Sequence, residues 1–184
     1  TIMSLAFSRR SFLKYTAVAA VAVAGSSLLT GCKDNPYQPT GTIGSTLTIM
    51  GDFTMKSATL DATTNKMTCA MTFKCTSKRN LHVVPTCFQI DVTSKDGKTV
   101  TTYNCDQGVN NKVSLKESKK DLAKDETLTT ELYVDQMNAL EDGCTVDVKY
   151  WPRAQSSEGL LGYTEAYATW SMKYDAAKVA FVKV

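Results

Sequence analysis

An antiparallel β-sandwich is the fold this sequence predicts for most of its length, and two observations carry the expectation. From Thr46 onward apolar residues recur at every second position in short runs, the period of a strand with one buried face. Turn-forming residues interrupt those runs at short intervals, and helical spacing is nearly absent. About eight or nine short strands with so little helix argue for two antiparallel sheets packed on each other.

Lys66 to Thr76 is the clearest strand. Met67, Cys69, Met71, Phe73 and Cys75 fall on one face, and Thr68, Ala70, Thr72, Lys74 and Thr76 on the other. Thr86 to Ser94 repeats the pattern with Phe88, Ile90 and Val92 inward. Asp96-Gly97 then supplies a hairpin turn, and Thr99 to Asn104 returns. Thr127 to Val134 places Leu128, Leu132 and Val134 together, and Cys144 to Tyr150 does the same with Cys144, Val146, Val148 and Tyr150. Tyr163 to Tyr174 and Lys178 to Val184 read as closing strands. The mixed-charge run Lys112 to Glu126 reads as exposed turn, and helix is confined to a turn near Asp135 to Leu140.

Ahead of this domain lies a segment of different chemistry. Ser8-Arg9-Arg10-Ser11-Phe12-Leu13-Lys14 is basic, Tyr15 to Gly31 carries no charge, and Leu29-Thr30-Gly31-Cys32 brings small residues up to a cysteine. A charged start, an apolar middle and a small-residue cleavage site make an export signal over residues 1–31. The stretch Ser8 to Lys14 resembles the twin-arginine signal family at every specified position of its pattern, with Arg9 and Arg10 as the pair. Leu29 to Cys32 resembles the lipobox of bacterial lipoproteins. The two resemblances imply export by a receptor-read address, cleavage before Cys32 and acylation of its sulfur. Two acyl chains anchor stably where one is marginal. Met3 is the expected translation start.

The charge balance follows the same division. Of 21 basic and 18 acidic residues, three basic ones (Arg9, Arg10 and Lys14) and no acid precede Cys32, leaving 18 against 18. The net +3 therefore belongs to the signal, and the neutral remainder offers no electrostatic case for nucleic acid or for polybasic attachment to lipid. Residues 32–45 hold Asn35, Pro36, Pro39, Gly41 and Gly44 with few apolar side chains, the composition of a flexible tether. Residues 46–184 are long enough to form one domain with its own core.

Within that domain, Lys56 to Pro152 resembles the immunoglobulin-like domains of unknown function found on lipoproteins of Gram-positive bacteria. The shared features are a first strand at Ala58-Thr59-Leu60 and the long strand Met67 to Thr76. Phe88 to Gly97 follows as a Phe-x-Ile/Leu-x-Asx strand entering Asp-Gly, and then a charged turn, Lys119 to Glu126, before Leu128 to Val134. The resemblance implies an immunoglobulin-like sandwich and no catalytic residues. Where the family has polar-Pro-Gly before its penultimate strand, this chain has Ala123-Lys124-Asp125-Glu126, which leaves the strand order there open; Arg153 to Val184 lies outside the likeness.

Five cysteines remain after Cys32, in a compartment where disulfides persist. A three-residue loop, Lys95-Asp96-Gly97, would pair Ser94 with Lys98 and set Cys87 opposite Cys105, within disulfide reach. A two-residue loop would set Cys87 opposite Asp106 instead. Cys87–Cys105 is the pairing preferred on this reading. Cys69, Cys75 and Cys144 share core-facing phases, and a bridge between sheets is expected from Cys69 to Cys144, with Cys75 as the competing partner. The alternative is that all five are small buried hydrophobes.

The usual signatures of catalysis are thin. His82 is the sole histidine and adjoins the polar loop Ser77 to Asn80. Cys69-x₅-Cys75 lacks zinc-ligand spacing, and Met67 and Met71 fit core positions rather than a metal array. No cofactor is expected. Asp135, Glu141, Asp142 and Asp147 form the nearest approach to an acidic cluster, but their spacing matches no calcium loop and solvated loop charge is the simpler reading. The expected function is non-enzymatic: an envelope lipoprotein on the outer face of the cytoplasmic membrane, bound to lipid through Cys32 and acting on an envelope protein or small ligand. Trp151, Tyr163, Tyr167 and Trp170 are the candidate contact residues, with the core the more expected place for any one of them. The alternatives are a ligand-binding accessory subunit of an envelope transporter or enzyme, favoured by an aromatic-lined pocket between the sheets, and, less favoured, a hydrolase built on the acidic cluster.

Overall fold

The computed structural model describes residues 38–106, 108, 110–152 and 166–184. The export signal with Arg9 and Arg10, the acylation candidate Cys32 and the contact candidate Tyr163 lie outside the described residues. Thirteen strands are described: β1 (Thr40–Gly41), β2 (Thr46–Thr48), β3 (Gly51–Asp61), β4 (Lys66–Cys75), β5 (Leu81–Val83), β6 (Phe88–Thr93), β7 (Val100–Tyr103), β8 (Val113–Leu115), β9 (Lys119–Leu122), β10 (Thr127–Val134), β11 (Thr145–Tyr150), β12 (Ala168–Asp175) and β13 (Ala180–Lys183). One sheet has the order β1-β12-β11-β6-β7, with β13 also paired to β12; the second runs β2-β3-β4-β10-β8; β5 and β9 form a small third.

This order is the immunoglobulin pattern. Assigning β3, β4, β6, β7, β8, β10, β11 and β12 in chain order to positions A, B, C, C′, D, E, F and G yields one A-B-E-D sheet and one C′-C-F-G sheet, all antiparallel. The two sheets meet through aromatic rings. Phe53 and Phe73 of the first set lie 4.8 Å in centroid distance from Tyr150, and Phe73 lies 5.7 Å from Phe88. Met55, Met67, Met71, Leu132, Val146, Val148, Trp170 and Met172 complete a core in which each is fully enclosed. Among the described residues, these rings pack against one another in the space between the sheets.

Period-two reading located the long strands because one face of each is buried. All five predicted inward residues of β4 are fully buried, as are Val146, Val148 and Tyr150 of β11. Other expectations need correction. The segment near Asp135 to Leu140 is bend and irregular chain, and the one helical turn among the described residues is 3-10, at Pro85–Cys87, where proline fixes φ at the first position. The run Lys112 to Glu126 is not simply exposed turn: it contains β8 and β9, each anchored by one wholly buried side chain, Val113 and Leu122. Lys119, Lys120 and Asp121 make up the rest of β9, and lysine on such a short strand discourages further pairing.

Part of the segment whose composition suggests a tether, residues 32–45, is built into a sheet. Thr40 and Gly41 pair in parallel with Thr169 and Trp170, and Thr169 N–H donates to Pro39 O at 3.0 Å. Gly41 is required there, because a Cβ would lie 2.7 Å from that of Ser45. The charged turn before β10 is closed by Asp125, whose φ of 66° is the left-handed conformation that favours glycine. Glu126 fastens it, accepting from Ala123 N–H at 2.8 Å and from Lys119 Nζ at 2.6 Å.

Candidate functional site

Among the described residues, the densest polar construction stands on the outer face of the C′-C-F-G sheet. Register brings it about. Asp91 of β6 pairs with Thr102 of β7 on one side and with Asp147 of β11 on the other, and Lys149 lies two residues along β11 on the same face. Asp91 is 7% exposed. Its carboxylate accepts from Lys149 Nζ at 2.7 Å, from Thr102 Oγ1 at 2.7 Å and from Gln89 Nε2 at 2.9 and 3.0 Å. Burial alone would push the carboxyl group up, but the hydrogen bonds from Lys149, Thr102 and Gln89 outweigh it and hold it below its usual range. Lys149 is the mirror case: burial opposes its charge, and the hydrogen bond to Asp91 raises its pKa regardless. One step further along the sheet, Ser171 Oγ donates to Asp147 at 2.6 Å.

Two aromatic rings border this network. Trp151 and Tyr167, both half-buried, lie 5.1 Å apart in centroid distance, and Lys149 Nζ stands 5.9 Å from the Tyr167 ring. Trp151 is held by its N–H donating to Cys87 O at 2.9 Å. Both were contact candidates, and the structure sets them side by side at one end of the sheet. Trp170 takes the alternative place, the core: it is wholly buried, its indole N–H donating to Ser45 O at 3.1 Å.

The opposite outer face is plainer. Thr46, Thr54, Thr72 and Thr129 stand in register across four strands, two of their hydroxyl pairs within hydrogen-bonding distance. A hollow of about 210 Å³ nearby is lined by Ala70, Lys116, Glu117, Thr129, Thr130 and Glu131, with no aromatic side chain.

The acidic residues are dispersed among separate partners. Asp135 pairs with Lys66 at 2.7 Å, Glu141 lies 3.5 Å from Lys95 N, Asp142 accepts from Ala176 N–H at 3.0 Å, and Asp147 is engaged by Ser171. Among the described residues, no three His, Cys, Asp or Glu side chains are grouped to hold a metal ion. His82 lies half-buried in β5, where its backbone N–H donates to Pro152 O and its carbonyl accepts from the Tyr150 hydroxyl at 2.9 Å.

All five described cysteines are free thiols in the structure, so neither Cys87–Cys105 nor Cys69–Cys144 is shown in it. The hairpin between β6 and β7 has a four-residue loop, with Ser94 N–H donating to Thr99 O and Ile90 paired to Tyr103. Continued outward, that register sets Cys87 against Asp106 rather than Cys105. Gly97 is left-handed as expected, at φ 73°; the loop is one residue longer than the reading required. Cys69 is enclosed in the ladder between Ala58 and Leu132, and burial drives its thiol up to about 12. Cys144 sits ahead of β11, its N–H bonded to Glu141 O and its carbonyl to Tyr174 N–H. Cys87 rises to about 11, chiefly through burial. Thiols so displaced stay protonated at neutral pH and behave as small apolar side chains rather than nucleophiles.

Sequence reasoning missed Asp91, Thr102, Gln89 and Lys149. The available signal was an acidic residue in the middle of a strand whose neighbours are apolar, a place where an unpaired charge would be costly.

No protein-family model matches the chain, and no curated protein matches it. Among solved structures it is similar to the archaellum periplasmic stator protein FlaG of Sulfolobus acidocaldarius, with 6% identity over 66% of this chain and 98% of that one, at a TM-score of 0.40. It is also similar to YcdA of Bacillus subtilis subsp. subtilis str. 168, described as a lipoprotein, with 18% identity over 67% of this chain and 36% of that one, at a TM-score of 0.37.

Proposed function

We propose that this chain is an extracytoplasmic lipoprotein that works by binding rather than catalysis, with the outer face of its C′-C-F-G sheet as the contact surface. The observation that carries the reading is the Asp91–Lys149 pair. A carboxylate held almost out of water by three separate donors, in the middle of an otherwise open sheet face, presents a rigid polar pattern with an aromatic border. That combination of fixed polar groups and half-buried rings suits recognition of another molecule. The protonated thiols and the ion-paired carboxylates lack the poised groups that acid–base or nucleophilic chemistry uses.

The anchor comes from Cys32 and the paired Arg9 and Arg10. A twin-arginine route carries domains that have already folded, and a core complete with five free thiols supports that order, because nothing in it waits for oxidation. The contact surface is tested with photo-crosslinking residues placed at Thr93 or Thr145 on the proposed face, and at Thr72 on the opposite face, in cells making the full chain. The reading expects a discrete adduct from Thr93 or Thr145 that disappears when Lys149 is replaced by Met. Equal adducts from Thr72, or adducts indifferent to Lys149, contradict it.

A further inference from the structure

Resting on the lipoprotein reading just given, we infer that the domain does not swing freely on its anchor: the end of the sandwich carrying Trp151 and Tyr167 sits in the headgroup region of the bilayer that holds Cys32. Three observations converge on this end. First, it is where the chain enters. β1 runs parallel to β12, and Thr169 N–H binds Pro39 O, so the backbone upstream of Thr40 enters alongside Ala168 and Tyr167. Trp151 follows Tyr150, which pairs with Ala168, and therefore faces Tyr167 across the two strands.

Second, the anchor is short. Cys32 precedes Pro39 by seven positions, a reach of about 25 Å even when fully extended. β3 alone, with eleven residues, is about 35 Å long at strand rise. The entry end and its flanks can meet the lipid surface; the far end cannot.

Third, the two ends differ in chemistry. Trp and Tyr with half-buried rings are the side chains that settle at a membrane–water boundary, apolar body inward and polar tip wet. Exposed Lys78 and Arg79 lie in the loop leaving β4 at this same end, tied in where His82 N–H meets Pro152 O. The opposite end gathers Asp61, Asp96, Asp135, Glu141, Asp142 and Asp175 in its turns; Asp96, Asp135 and Asp175 are paired with Lys98, Lys66 and Lys178, and the remaining three carboxylates are the ones an anionic leaflet repels.

The chain has two tryptophans, and Trp170 is wholly buried, so the test is direct. Lipidated protein is reconstituted into vesicles of phosphatidylcholine and phosphatidylglycerol whose acyl chains are brominated near the headgroup. Flotation reports attachment, and quenching of tryptophan emission reports position. The inference expects wild-type emission to be quenched, the quenching to be lost in Trp151→Phe, and none to return when Val100→Trp is added to that variant. Near-ultraviolet circular dichroism checks that Trp151→Phe retains its packing; should it not, Trp170→Phe, which leaves Trp151 as the sole reporter, must still be quenched. Protein that floats without quenching, or is quenched equally at Val100→Trp, overturns the orientation and leaves the anchor standing. Protein that does not float overturns both.

Discussion

The Trp170 indole N–H reaches back 125 residues to the carbonyl of Ser45, at 3.1 Å, and so binds the last long strand to a segment whose composition marks it as linker. Trp170 is fully enclosed, and its strand also holds β1 by parallel pairing. Residues 39–45 are thus part of the fold. Trp170→Phe removes the donor while keeping most of the ring, and leaves a carbonyl unsatisfied at a cost of about 1–3 kcal/mol. A fall of that size in urea-unfolding free energy, with an unchanged slope, is the expected result.

Thr130 and Glu117 make the second testable contact. The Thr130 hydroxyl is 4% exposed; it donates to Glu117 O at 2.8 Å and accepts from Glu117 N–H at 2.9 Å. It serves as a strand partner for the connection between β8 and β9. Thr130→Val keeps the shape and removes both bonds, so the domain should lose about 1–3 kcal/mol, with the gain in amide exchange larger at Glu117 than within β10.

Stability should be greatest around neutral pH, from the directions of the shifts. The Asp91 carboxyl is held low in the folded state, so its contribution is full above its unfolded value of about 3.9 and is lost as pH falls through the folded value. Lys149 is raised, so its contribution is full below about 10.4 and is lost as pH rises through the folded value. The thiols act sooner on the alkaline side. Cys69 and Cys87 are raised to about 12 and 11, and unfolding releases their protons once pH exceeds about 8.5, which favours the unfolded chain. Denaturant midpoints measured from pH 3 to 10 should fall at both ends, and Asp91→Asn should flatten the acid limb.

Thiol chemistry checks the cysteine assignments. Denatured without reductant, the mature domain should titrate five thiols beside Cys32, and in the native state Cys105, the one not classed as buried, should alkylate first. Replacing all five with alanine or serine should still give a folded domain in the cytoplasm. A count of one thiol would restore the two disulfides.

Val179 offers a substitution that should stabilise. It is a β-branched residue at φ 51°, in the turn between β12 and β13, and 42% exposed. Val179→Gly or Val179→Asn relieves that conformation and should raise stability by about 1 kcal/mol, seen as a higher melting temperature.

What the sequence disclosed follows from burial. β4 and β11 alternate cleanly because each has one face on the core, and they were legible residue by residue. β8 and β9 were not, because a strand of three or four residues needs only Val113 or Leu122 to hold it and is too short to show a period. β1 was hidden because its pairing is made by backbone groups, which leave no side-chain pattern. The site was legible in half. Trp151 and Tyr167 could be named from residue type, but Asp91 and Lys149 meet only through a register fixed on two neighbouring strands. The register expected for Cys87 and Cys105 differs from the observed one by one residue of loop length, and each single step in register turns a side chain to the other face.

The account turns most on Cys32. Mass spectrometry of the protein extracted from membranes should find a mature chain that begins at Cys32 with a diacylglyceryl group on its sulfur. A membrane-bound chain that retains Arg9 and Arg10, with no acyl adduct at Cys32, would contradict it.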